Sequence, residues 1–96
     1  FDKTIRKIIE TRELFVSALR EKGFLVLNSS ANFVFAKHAK IKGKALYALL
    51  RERGFLVRHF DTDLLTDFIR ISIGKREDMM LLTDEIENIL KEMDQA

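Results

Sequence analysis

The stretch FLVRHFDTDLLTDFIRISIG, Phe55 to Gly74, holds two strand-forming runs, FLVRHF and FIRISIG, and each carries one arginine in its middle. Side chains alternate across a strand, so Ile69, Ile71 and Ile73 share one face while Phe68, Arg70 and Ser72 share the other. In the first run Leu56, Arg58 and Phe60 fall on one face and Phe55, Val57 and His59 on the opposite one. Folding the runs into a hairpin around DTDLLTD, with Val57 against Ile71 and Phe55 against Ile73, matches apolar to apolar on the core side. That register sets Arg58 opposite Arg70. Like charges directly across a sheet are unfavourable, so an anion belongs between them. Asp61, Asp63 or Asp67 of the connecting loop can supply it. So can a ligand carboxylate or phosphate, which suits two guanidinium forks. Spacing alone favours the loop aspartates.

Outward from this pair, apolar periodicity predicts a helix over Asp2–Lys22, with Ile5, Ile8, Ile9, Phe15 or Val16, and Leu19 on its stripe. Strands follow at Phe24–Leu27 and in NFVFAKH, separated by the turn-forming segment NSSAN. A second helix is predicted over Lys44–Arg53 and a third over Arg76–Met93. The segment LREKGFLV at Leu19–Val26 nearly repeats as LRERGFLV at Leu50–Val57. In both copies glycine, Gly23 or Gly54, stands where a helix needs a left-handed residue to stop, followed by a phenylalanine that folds back onto it. The predicted order is αββαββα. It implies an α+β two-layer sandwich, a mostly antiparallel sheet of three to four strands with helices on one face.

Ninety-six residues form a single domain, and 47% hydrophobic with 33% charged residues is an ordinary globular composition. A net charge of +2 is too small to suggest a surface built for nucleic acid. The absence of cysteine excludes disulfides, thiolate metal sites and a cysteine nucleophile. No apolar run is long enough for a membrane span. The chain begins with Phe1 rather than methionine and enters a helical pattern almost at once, which reads as a piece of a longer protein.

Three stretches carry a resemblance. TRELFVSALREKGFLVLNSSANFVFAK, then KALYALLRERGFLVRHF, then FIRISIGKREDMMLL resemble, in order and over nearly the whole chain, the C-terminal small domain of histidinol-phosphate aminotransferase. That family belongs to the pyridoxal-phosphate aminotransferases of fold type I. RGFLVRHF and IRISIG are the more specific pieces, and Ser29–Phe33 matches S-x-A-N-F. The resemblance implies that Arg70 anchors the substrate and that Arg70 and Arg58 together hold the phosphate of histidinol phosphate. It places Asn32 near the substrate mouth, where a turn-stabilising role is the plainer account. It also implies that the cofactor lysine, the aspartate facing the pyridine nitrogen and the phosphate cup lie in a large domain absent from this chain. The parent then transfers an amino group between histidinol phosphate and 2-oxoglutarate in histidine biosynthesis, as a cytoplasmic homodimer carrying pyridoxal phosphate. The 96 residues alone have no catalytic or cofactor-binding residue and should be inactive. One departure is visible. Gly74-Lys75 stands where the family has Gly-Thr, so the hydroxyl that would cap the last helix is missing, and Glu77 and Asp78 compensate through the helix dipole.

Other constellations point elsewhere only weakly. KHAKIKGK, Lys37–Lys44, next to Phe33 and Phe35 would suit single-stranded RNA, but a solvated loop beside core phenylalanines is the simpler reading. His38 and His59 have no paired spacing for metal and read as surface or supporting residues. Met79, Met80 and Met93 read as core. The expected partners are a phosphorylated amine and the missing large domain, with no metal, nucleic acid or membrane. The alternatives are a threonine-phosphate decarboxylase, an aromatic aminotransferase, or a stand-alone module binding nucleic acid or protein.

Overall fold

The computed structural model describes residues 2–28 and 30–95, so Ser29, the first residue of the S-x-A-N-F match, and Phe1 lie outside it. Its elements are α1 (Asp2–Glu21), β1 (Phe24–Asn28), β2 (Phe33–His38), α2 (Gly43–Glu52), β3 (Arg58–His59), β4 (Ile69–Ser72) and α3 (Arg76–Gln95). The four strands form one sheet in the order β1-β2-β4-β3, and every neighbouring pair is antiparallel. This is the α+β arrangement with the order αββαββα.

Strand alternation decides where the core lies. Phe24, Val26, Val34, Ala36, Ile69 and Ile71 are all buried, and the register places them on a single face. Helical spacing brings Phe15, Val16 and Leu19 of α1, Leu46 and Leu50 of α2, and Met79, Leu82, Ile86 and Ile89 of α3 against that face. Full burial of an aliphatic side chain of this size contributes about 1.5–3 kcal/mol relative to exposure. The core is therefore closed within these residues, and the opposite sheet face carries no helix.

Several expectations are corrected by this layering. Phe33 and Phe35 are half-buried on the helix-free face rather than in the core, because β2 turns Val34 and Ala36 inward. Met80 is exposed, since the stripe of α3 passes through Met79 and Leu82 instead. Ile5 and Ile9 are also exposed: α1 buries its stripe only from Thr11 onward. The strand expected over Phe55–Phe60 shrinks to Arg58–His59, because the cap of α2 takes up Phe55.

The echoed segments end their helices by two different means. Gly23 and Gly54 both adopt left-handed backbone, with φ of 94° and 90°. At α2, Phe55 N–H donates to the Leu50 carbonyl at 2.9 Å and Gly54 N–H to that of Arg51 at 3.1 Å, which is the full Schellman pair. At α1, Gly23 N–H donates to Arg20 at 3.0 Å, and the Nε2–H of His38 supplies a side-chain bond, donating to the Lys22 carbonyl at 2.8 Å. The Nδ1 of His38 accepts from Lys40 N–H at 3.1 Å. Both ring nitrogens are thus engaged in local structure.

Ion pairs clamp the helices to one another. Arg53, at the end of α2, reaches Glu85 and Glu92 of α3 at 2.8 Å each, and Lys22 reaches Glu87 at 2.8 Å. Glu92 is held below its ordinary carboxylate range chiefly by the hydrogen bond from Arg53, and Glu87 by the one from Lys22. A carboxylate with a depressed folded-state pKa contributes stability that is present above its unfolded pKa and is lost as pH falls through the folded value. The urea midpoint should therefore drop between about pH 5 and about pH 2, and a Lys22→Met, Arg53→Met double variant should lose part of that drop. An unchanged pH profile in the double variant would contradict this account. The start of α3 offers a second test. Lys75 occupies the N-cap, its carbonyl accepting Met79 N–H at 3.0 Å, and its side chain has no acceptor to offer. Lys75→Thr should raise stability by about 0.5–1 kcal/mol in urea titration.

Candidate functional site

The pairing of β3 with β4 sets Arg58 directly opposite Arg70, as the alternation predicted, with His59 opposite Ile69. Because Ile69 and Ile71 fill the core face, Arg70 must project from the helix-free face, and Arg58 projects beside it. The two arginines line one open cleft of about 420 Å³ at the β3 edge of the sheet, together with Tyr47, His59, Phe60 and Ser72.

None of the loop aspartates neutralises this pair. Among the described residues neither Arg58 nor Arg70 forms an ion pair. Asp61 instead lies 3.7 Å from the Nδ1 of His59. The Nε of Arg70 is buried with no hydrogen-bond partner. Its guanidinium carbon lies 5.1 Å from the ring centroid of Phe33 and 5.6 Å from that of Phe60, both within cation–π range. The cleft thus presents two cations with unused N–H donors, the chemistry of an anion receptor.

The loop beside the cleft is held from two sides. The Nε2–H of His59 donates to the Thr66 carbonyl at 2.7 Å. From the other side, the backbone of Thr66 and Asp67 lies so close to Gly43 that a Cβ there would meet it at 2.9 Å. Only glycine fits at that position. The supporting role expected of His59 is therefore specific; Tyr47 and Phe60 line the cleft and Gly43 seats the adjoining loop, roles that the sequence did not single out. The apolar run around Tyr47 satisfies helical periodicity whatever the ring faces, and Gly43 lies in a stretch that reads as solvated loop.

Asn32 is exposed at the β1–β2 turn and lies outside the cleft lining. Its N–H donates to the Ser30 hydroxyl at 3.1 Å and its carbonyl accepts Ile73 N–H at 2.7 Å, which ties the turn to the end of β4. The described residues contain no cluster of three metal-ligating side chains and no helix long and apolar enough to cross a membrane. The cleft also has no lysine and no carboxylate, so it does not fit pyridoxal phosphate, which needs an amine and an acidic partner for its ring nitrogen.

Residues 1–86 match the family described as aminotransferase class I and II. The chain belongs to that family. It is 44% identical over 89 residues to a histidinol-phosphate aminotransferase of Syntrophus aciditrophicus, covering 93% of this chain and 25% of that one. It is 49% identical over 84 residues to histidinol-phosphate aminotransferase 1 of Pseudomonas fluorescens, covering 88% and 24%. The chain thus spans about a quarter of the curated relatives it matches. The expected C-terminal position within such a protein rests on motif resemblance alone. Among solved structures, a putative aminotransferase from Burkholderia pseudomallei superposes with a TM-score of 0.76 at 36% identity, covering 88% of this chain and 26% of that one. A NifS-like protein superposes at 0.82 with 23% identity, over 94% of this chain and 29% of that one, which shows shared fold only.

The unneutralised pair has a measurable signature. Arg58→Gln should raise the urea midpoint of the ligand-free domain at low salt, and the gain should shrink toward about 1 M salt, where the Debye length is about 3 Å. An unchanged or lowered midpoint at low salt would show that the two charges do not repel.

Proposed function

We propose that this chain is the small, substrate-side domain of a pyridoxal-phosphate aminotransferase, most like histidinol-phosphate aminotransferase, in which Arg70 and Arg58 together hold the substrate phosphate. The observation that carries the reading is the opposed arginine pair, which lines one cleft and has no carboxylate of its own among the described residues. Family membership supports the reaction class, and the names of the relatives support a phosphorylated amine as substrate. A single guanidinium suffices for a carboxylate, whereas a phosphate near neutral pH carries about 1.5–2 negative charges and several acceptor oxygens. Two adjacent forks match that charge.

In this reading the domain binds and orients. Arg70 fixes one end of the substrate, and Arg58 adds the second charge from the sheet edge. The cofactor and its lysine belong to a large domain elsewhere in the parent, which acts as a homodimer in the cytoplasm and passes the amino group to 2-oxoglutarate. Each charge-assisted hydrogen bond lost from the site removes about 1.5–3 kcal/mol.

In the full-length parent, Arg70→Ala should lower kcat/KM for histidinol phosphate by about a hundredfold, and Arg58→Ala by about tenfold, while cofactor absorbance stays intact. Wild-type kcat/KM in both variants would overturn the assignment. The 96-residue chain, incubated with pyridoxal phosphate, histidinol phosphate and 2-oxoglutarate, should give no turnover, and enzyme-level turnover would refute the division of labour.

A further inference from the structure

We infer that Phe33 and Phe60 are positioning residues that hold Arg70 in place without occupying its hydrogen bonds, an inference that rests on the proposed anion site. An arginine is commonly fixed by a carboxylate or a carbonyl. Such a partner takes up part of the N–H edge, and a carboxylate also offsets the charge, so an arginine fixed that way offers less to an incoming anion. Arg70 has neither kind of partner among the described residues: its Nε is buried and unbonded, and no ion pair reaches its guanidinium. What borders it is aromatic. Phe33 comes from β2, the neighbour of β4 on one side, and Phe60 follows β3, the neighbour on the other. Ring faces attract a cation through their quadrupole and accept no conventional hydrogen bond. The guanidinium is therefore oriented while its charge and its outer N–H groups remain available to an incoming anion.

The ring that does this on the β3 side is itself held by rings. β3 has only two residues, so ladder bonds do not reach Phe60. Its ring lies 6.3 Å from that of Phe35, which also meets Phe33 at 5.8 Å and Phe68 at 6.5 Å. This aromatic row, on the face without helices, sets the position of Phe60 and through it the wall beside Arg70. Phe33 and Phe60 do not touch the anion in this account; they act through Arg70.

The test uses the 96-residue chain with inorganic phosphate as the probe at constant ionic strength, read by NMR. The variants are Phe33→Leu, Phe60→Leu, Phe60→Tyr and Arg70→Ala. Each leucine variant should weaken phosphate binding about three- to tenfold and move the Arg70 Nε–Hε resonance toward the position of a free arginine. Phe60→Tyr keeps the ring and should restore both readouts. If Arg70→Ala abolishes binding while the leucine variants bind like wild type, the positioning role is overturned and the anion site stands. Failure of Phe60→Tyr to restore binding, with a urea midpoint as low as that of Phe60→Leu, would also overturn it, since only packing would then be at stake. If Arg70→Ala leaves phosphate binding unchanged, the anion site falls, and this inference falls with it.

Discussion

Two guanidiniums facing each other across an antiparallel pair repel, yet the register that opposes them is fixed by groups on the other side of the sheet. Ile69 and Ile71 must enter the core, and sliding β4 by one residue would turn those isoleucines outward, while sliding β3 by one would do the same to Val57. Arg58 and Arg70 are thus held in opposition by hydrophobic burial that neither of them shares. The cost is modest, about 0.2–1 kcal/mol for an unfavourable cross-strand pair, against roughly 1.5–3 kcal/mol for each buried isoleucine. Packing therefore wins, and the cleft keeps a concentration of positive charge that surface electrostatics alone would disperse.

Much of this follows from alternation. The pattern of FIRISIG separates the isoleucines from Arg70, and matching its apolar face to FLVRHF allows the register that sets Arg58 against Arg70, which is the pairing observed. The capping glycines are equally legible, because a left-handed residue at a helix end has few substitutes. Other features were not legible, for identifiable reasons. A phenylalanine at period two fits either sheet face, so the sequence does not say that Phe33 and Phe35 lie opposite the helices. The shortening of β3 follows from the Schellman bond of Phe55, which claims for the cap a residue whose composition suits a strand. The aspartates of DTDLLTD have the right charge to neutralise the arginines, but the loop is drawn aside by His59 and Gly43, a tertiary constraint no local pattern encodes.

The comparisons divide along the same line. The NifS-like protein shares the arrangement of helices and strands at 23% identity, which is a likeness of fold alone. The two arginines and the phenylalanine row are placed on the helix-free face and at the β3 edge, with Tyr47 of α2 beside them. Apart from Tyr47, which packs against the main core, these residues lie outside it.

The contact at Gly43 has a mechanical consequence. Where the first turn of α2 lies against the peptide of Thr66 and Asp67 with no side chain between them, the two segments have no compressible layer to absorb relative motion. A displacement of the helix would therefore push directly on the loop, with no side chain in between to take it up.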